Sequence, residues 1–235
     1  MNDDGSISLN KYISSTGRCS RRAADRMIEA GRVRINGQIA QKGNRILPDD
    51  RVTLDGKAVI AAYDFVYLAF HKPAGVTSTT DRRDRDNIID FINYPKRIFP
   101  IGRLDKASTG LILLTNDGDI VNQILREENN HEKEYIVQVD RPISNRFLQR
   151  MRQGVPILGT VTKRCRVDQL NKQLFRIVLT QGLNRQIRRM CEYLGYKVLT
   201  LKRVRIIHIN LDGLKVGTWR ELTKEEMEVL RRVIR

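Results

Sequence analysis

The feature that most limits the fold of this chain is a short apolar run without alternation, Leu111-Ile112-Leu113-Leu114-Thr115, set between Gly110 and the turn-forming triplet Asn116-Asp117-Gly118. Such a run, bounded by turn formers, reads as a buried strand. Just upstream, Gly102-Arg103-Leu104-Asp105 places one carboxylate between a Gly-Arg turn and that strand, and Gly102 and Gly110 would let a ligand approach closely. An aspartate on a loop between structured elements is a common address for a reacting group. Here it stands in a chain of formal net charge +16, so the pairing points to an acid working on a polyanion.

Around this run, strands and helices intermix. Phe65 to Phe70, Glu134 to Val139 and Leu174 to Thr180 have strand character. Helical spacing fits Ile88 to Ile92, Asp119 to Leu125, Ser144 to Met151 and Asn184 to Leu194, and Thr223-Lys224-Glu225-Glu226 forms a capping box for a last helix. Strands outnumber the regular βαβ units that a parallel sheet requires, which favours an α+β domain with a largely antiparallel mixed sheet flanked by helices.

Residues 8 to about 57 read as a separate compact unit. Leu9, Tyr12 and Ile13 recur at helical spacing, and Ser20 can cap a second helix carrying Ala23, Ala24, Met27 and Ile28, which Gly31 ends. Two short strands, Val33 to Ile35 and Gln38 to Ala40, turn through Asn36-Gly37, and Val52 to Leu54 runs to Asp55-Gly56. Lys11, Arg18, Arg21, Arg22, Arg26, Arg32 and Arg34 crowd this unit, more one-sided than a solvated face requires. The alanine-rich stretch from Lys57 to Asp64 reads as a linker, so the expected division is 1–60 and 61–235.

The 43 Lys and Arg against 27 Asp and Glu, with a pI near 10.2, select nucleic acid or an anionic membrane as partner. No apolar run approaches a membrane span, and Met1-Asn2-Asp3-Asp4 is unlike a targeting segment, which leaves nucleic acid in the cytoplasm. Cys19, Cys165 and Cys191 lack metal or disulfide spacing, His71, His131 and His208 are scattered, and no phosphate- or dinucleotide-binding glycine motif is present. The expectation is therefore no metal and no cofactor.

Two further stretches complement Asp105. In His131-Glu132-Lys133-Glu134-Tyr135, the strand period puts Lys133 and Tyr135 on one face, where tyrosine could stack on a base and lysine hold a phosphate. A half-buried strand tyrosine is the plainer alternative. In Gln181-Gly182-Leu183-Asn184-Arg185-Gln186-Ile187-Arg188-Arg189-Met190, a turn leads into a helix whose first turns carry Arg185, Arg188 and Arg189. Cations there oppose the helix dipole unless an anion offsets them. Spacing of three puts Arg185 and Arg188 on one face, with Ile187 and Met190 toward the core.

Residues 8–57 resemble the ribosomal-protein-type alpha-L RNA-binding domain, through Leu9-Asn10-Lys11-Tyr12-Ile13, Cys19 to Asp25 and Ile28 to Gly37. The whole chain resembles the pseudouridine synthases that act on ribosomal RNA and carry such a domain at the N-terminus. Lys72-Pro73-Ala74-Gly75, the Gly102 to Gly118 block, Lys133-Glu134-Tyr135 and Gln181 to Met190 carry this likeness. Phe99-Pro100-Ile101-Gly102, His131 to Tyr135 and Gly154 to Thr162 look closest to the RluF branch, whose substrate class is 23S ribosomal RNA. That branch often has a lysine-rich C-terminal tail, which a sequence stopping at Arg235 does not display.

The resemblance implies an isomerase, acting as a monomer, that turns a flipped uridine into pseudouridine without cofactor or metal. Asp105 is the essential aspartate, attacking the ribose C1′ or removing a proton from C2′. Arg188 pairs with it, and Tyr135 stacks on the uracil. RNA contacts are expected from Asn10, Lys11, Arg18, Arg21, Arg22 and Arg32 in the first domain, and from Lys72, Arg103, Lys133, Arg185, Gln186 and Arg189 in the second. The partner is 23S ribosomal RNA or a large-subunit assembly intermediate, with transfer RNA a possible second substrate. Competing readings are a non-catalytic assembly factor, a synthase acting on 16S or transfer RNA, and a glycosidase, which would ordinarily need two carboxylates.

Overall fold

The computed structural model describes residues 5–60 and 64–234. The N-terminal Met1-Asn2-Asp3-Asp4, the linker residues Ala61, Ala62 and Tyr63 beside the expected 60/61 division, and Arg235 lie outside the described residues. The chain forms two compact units: Met1–Phe65 with Pro95–Arg97 and Asn116–Gly118, and Val66–Tyr94 with Ile98–Thr115 and Asp119–Arg235.

The first unit contains β1 (Ile7–Ser8), α1 (Leu9–Ser15), α2 (Arg21–Glu29), β2 (Val33–Ile35), β3 (Gln38–Ile39), β4 (Arg45–Ile46), β5 (Val52–Leu54) and β6 (Lys57–Ala58). The Ser20 hydroxyl accepts the Ala23 N–H at 3.1 Å, satisfying an otherwise orphaned donor at the start of α2. Asn36 and Gly37 both take positive φ, as the two-residue turn between β2 and β3 requires. Leu9, Ile13, Ala24, Ile28, Val33, Val52 and Val59 form one core. The expected linker therefore begins later than its composition suggests. Asp55-Gly56 is a second such turn, β6 pairs with β5, and Val59 is buried.

The second unit contains β7 (Tyr67–Lys72), α3 (Ile88–Ile92), β8 (Phe99–Ile101), β9 (Thr109–Thr115), α4 (Gly118–Leu125), β10 (Lys133–Val139), α5 (Asn145–Gln153), β11 (Pro156–Ile157), β12 (Thr160–Val161), β13 (Arg166–Asn171), β14 (Leu174–Leu179), α6 (Gln186–Tyr193), β15 (Val198–Ile206), β16 (Ile209–Asn210), β17 (Trp219–Glu221) and α7 (Lys224–Val233). Its main sheet runs β13-β14-β10-β15-β9-β7-β17, with β16 on β15 and β8 on β9. Every pairing in it is antiparallel except β15 with β9. The fold is α+β with a mixed, largely antiparallel sheet flanked by helices.

β9 is buried as its composition requires. Ile112 and Leu114 pack with Leu68, Phe70 and Ile88 on one side, while Leu111 and Leu113 pack with Ile120, Ile124 and Leu230 on the other. Each such side chain contributes about 1.5–3 kcal/mol through burial. Beyond β9, Asn116-Asp117-Gly118 does not close a hairpin; Gly118 opens α4. β7 lies two residues later than expected, because Phe65 is exposed while His71 and Lys72 are buried. The capping box of α7 forms both ways, with Glu226 N–H to the Thr223 hydroxyl and Thr223 N–H to the Glu226 carboxylate.

Candidate active site

Asp105 lies on the loop from β8 to β9, and the backbone on both sides of it is clamped. The Ser78 hydroxyl donates to the Leu104 carbonyl at 2.9 Å and accepts the Leu104 N–H. On the other side, the Lys106 carbonyl accepts from the Gly75 N–H at 2.8 Å and from the Lys72 ammonium at 3.3 Å. Lys72 also donates to the carbonyls of Pro73 and Val76. The Lys72 side chain is fully buried, so burial lowers its pKa to about 8 while the nearby Asp105 carboxylate pulls it back up. This corrects the expectation that Lys72 holds a phosphate: its protons are spent on the loop that carries Asp105.

The α6 helix supplies the cations facing Asp105. Arg188 places Nε 3.5 Å from Asp105 Oδ2 and donates through Nη2 to the Ser108 hydroxyl at 3.2 Å. Arg185 stands 3.7 Å from the same oxygen. Its backbone is left-handed, and it is the residue before α6 rather than part of the helix's first turn, which corrects the sequence expectation. That backbone turns the Arg185 side chain onto the same carboxylate as Arg188. Ile187 and Met190 face the core, as their spacing indicates.

Asp105 and Tyr135 line an open cavity of about 660 Å³, together with Arg103, Lys133, Arg185 and Arg203. An adjoining recess of about 90 Å³ brings in Ser108, Gln181, Gln186 and Arg188. Gly110 does not serve a ligand. At its φ of +112° a side chain would meet the Arg203 carbonyl at 2.1 Å, so the glycine lets β9 and β15 pair this closely.

Electrostatically the cavity is dominated by cations. Lys72, Lys133 and Arg203 are all buried behind it, and burial lowers the Lys133 pKa as well. The Lys133 ammonium donates to the His131 carbonyl at 3.1 Å, which corrects the picture of an exposed phosphate ligand. Arg203 donates through Nε to the Leu111 carbonyl at 2.7 Å, whereas its Nη2 has no hydrogen-bond partner. Gln186 is buried as well: its side-chain oxygen accepts the Leu183 N–H and its amide reaches Gln181. It braces the turn before α6 and is not free to contact RNA. Arg189 bonds Asn184 in the same turn, and Arg103 is exposed.

In the first unit, Arg18, Arg21 and Arg22 are exposed, and Lys11 is half-buried. Asn10 donates to Asp25 at 2.9 Å, and Arg32 makes a two-pronged pair with Asp55. Sequence reading did not single out Ser78, Ser108 or Arg203, and it gave Gln181 no role beyond its place in the motif. For Arg203 the available signal was the alternation Leu201-Lys202-Arg203-Val204-Arg205-Ile206 of a charged strand. Among the described residues, no group of three or more His, Cys, Asp or Glu could hold a metal ion, and no helix is long and apolar enough to cross a membrane.

Comparison with known proteins adds to this geometry. A family model described as RNA pseudouridylate synthase matches residues 66–193, and an S4 domain model matches residues 8–59. The Escherichia coli (strain K12) protein named dual-specificity RNA pseudouridine synthase RluF is 55% identical over 229 residues, covering 97% of this chain and 79% of that protein. Ribosomal large subunit pseudouridine synthase B of Bacillus subtilis (strain 168) is 34% identical, covering 95% of each. A crystal structure of a pseudouridylate synthase superposes with a TM-score of 0.71 at 29% identity, covering 95% of this chain and 99% of the other.

Proposed function

The chain belongs to the RNA pseudouridylate synthase family, with an S4 domain ahead of the synthase domain, and on that premise we propose that it isomerises a specific uridine of 23S ribosomal RNA through Asp105. The observation that carries this reading is one carboxylate, a third exposed, with Arg188 at 3.5 Å and Arg185 at 3.7 Å, sharing a cavity with Tyr135.

The reaction breaks the bond from uracil N1 to ribose C1′ and joins C5 to C1′. N1 ends with a proton and C5 loses one, so atoms and electrons balance without a redox partner. The Asp105 carboxylate either attacks C1′ or removes the C2′ proton, with the guanidinium groups of Arg188 and Arg185 standing 3.5 and 3.7 Å from its Oδ2. A uridine stacked in a helix could not reach a carboxylate at the base of a cavity, so the target is flipped out. Tyr135 then stacks on the uracil, and Arg103 and Arg185 hold neighbouring phosphates. In the first unit, the exposed Arg18, Arg21 and Arg22 grip adjacent structured RNA, with Lys11 beside them. The name of the E. coli relative gives that protein dual specificity, and that of the B. subtilis relative places its substrate in the large ribosomal subunit. These names agree with a ribosomal RNA substrate, which we take to be 23S RNA, free or in an assembling subunit; on the same reading the protein works as a cytoplasmic monomer, with a transfer RNA as the candidate second substrate.

The test is pseudouridine mapping by carbodiimide labelling and primer extension on RNA from cells lacking the gene, complemented with wild type or Asp105→Asn. We expect one 23S uridine to be modified only with wild type, and the variant to bind RNA with little loss of affinity. Modification by Asp105→Asn would refute the assignment of the aspartate, and unchanged maps throughout would refute the substrate.

A further inference from the structure

At the far end of α6 from Asp105, the second unit carries a slot of about 430 Å³ lined chiefly by Arg146, Phe147, Arg150, Tyr193 and Tyr196. No carboxylate lines it. Tyr196 is fixed in place: its ring packs on Phe147 with centroids 4.3 Å apart, its hydroxyl donates to the Pro142 carbonyl at 3.2 Å, and the Arg141 guanidinium lies 5.9 Å from its centroid. Tyr193, by contrast, is 54% exposed. Arg146 and Arg150 stand one helical turn apart on α5 and form no ion pair among the described residues. Arg146 also lies in the first turn of α5, which contains no acidic residue, so its charge opposes the helix dipole without internal compensation.

The exposed Tyr193 ring, beside the fixed Tyr196 and two guanidinium groups that form no ion pair among the described residues, matches the chemistry of an unpaired nucleotide, whose base stacks on an aromatic face while its phosphate meets arginine. We propose that this slot binds one unpaired nucleotide flanking the modified site, and so extends the RNA footprint beyond the catalytic cavity. The proposal rests on the RNA substrate argued above. From Arg185 to Tyr193 the chain advances about 12 Å at about 1.5 Å per residue. The slot therefore takes a nucleotide away from the target uridine and not the uridine itself.

The test uses the full chain and two RNAs: the 23S hairpin carrying the modified uridine, blunt-ended, and the same hairpin extended by unpaired adenosines, one of them replaced by 2-aminopurine. Wild type should bind the extended RNA about tenfold more tightly and quench the 2-aminopurine as it stacks. Tyr193→Ala should lose both the added affinity and the quenching while turning over the blunt hairpin normally, and Tyr193→Phe should keep both. Arg146→Ala with Arg150→Ala should reduce the slope of log affinity against log salt by about 0.7 on the extended RNA alone, the share of the one phosphate that the slot holds. Equal affinity of wild type for the two RNAs, or equal losses on both in Tyr193→Ala, would overturn the slot. Absence of turnover of the blunt hairpin by wild type would instead overturn the substrate on which it rests.

Discussion

Replacing Lys72 by methionine should change how stability depends on pH. In the folded chain burial pushes this ammonium from 10.5 down to about 8. Between those values the unfolded chain binds the proton that the folded chain has released, so the wild type gains stability as pH rises through that window. Integrating the linkage relation for one group gives a gain of about 2 kcal/mol between pH 7.5 and pH 9.5. Methionine cannot titrate, so the stability difference between wild type and Lys72→Met should shift by that amount in favour of wild type over this range. Comparing the two proteins at each pH cancels every other titrating group. The assay is urea unfolding followed by the fluorescence of Trp219, the single tryptophan, which sits in β17 of the same unit. Because Asp105 raises the Lys72 pKa, repeating the comparison in Asp105→Asn should move the onset of the gain to lower pH. A difference that stays flat from pH 7.5 to 9.5 would refute a Lys72 ammonium that burial beneath the Asp105 loop brings down to about 8.

Gly110→Ala should cost at least about 3 kcal/mol of stability, because it adds a Cβ 2.1 Å from the Arg203 carbonyl at a positive φ; a loss under about 1 kcal/mol in denaturant titration would contradict the close approach of β9 to β15. Arg21→Ala with Arg22→Ala should weaken RNA binding and lower its salt slope by about 1.4 to 1.8 while sparing turnover at saturating RNA. A fall in that saturated rate would move these arginines from affinity into chemistry.

The parts of the fold that were legible in sequence are those in which local chemistry and tertiary packing agree. Ser20, Asn36-Gly37 and the Thr223 capping box form the caps and turns that their side chains dictate, and the unbroken apolarity of β9 marks a strand covered on both faces. β15, the longest strand in the sheet, was not read, because Lys202, Arg203 and Arg205 interrupt its apolar pattern while Arg203 is in fact buried. β6 was hidden in a stretch that resembles a linker, since only its pairing to β5 reveals it. Within the candidate site, sequence displayed charge but not depth. Asp105, Tyr135, Arg185 and Arg188 do share a cavity, but Lys72, Lys133 and Gln186 were placed at the RNA surface when each is enclosed and bonded to backbone or to a neighbouring amide. The left-handed position of this turn falls on Arg185 itself and not on the neighbouring Gly182 or Asn184, which composition would have favoured.

The sheet is two antiparallel ribbons stitched by one parallel seam, where β9 meets β15 at only two registered pairs. Asp105 and Ser108 belong to the loop that feeds one ribbon, and Arg188 to the helix that feeds the other. Ser108 and Arg188 stand eighty positions apart in the chain and 3.2 Å apart in space. Closing so long a separation is entropically slow, and it comes after each ribbon's local hairpins have formed. A nascent chain would therefore hold its aspartate well before it holds the arginine that faces it, and the two would meet only once β15 had emerged and docked. The seam thus makes the facing of Asp105 and Arg188 a late event, decided by the docking of one ribbon on the other and not by either ribbon alone.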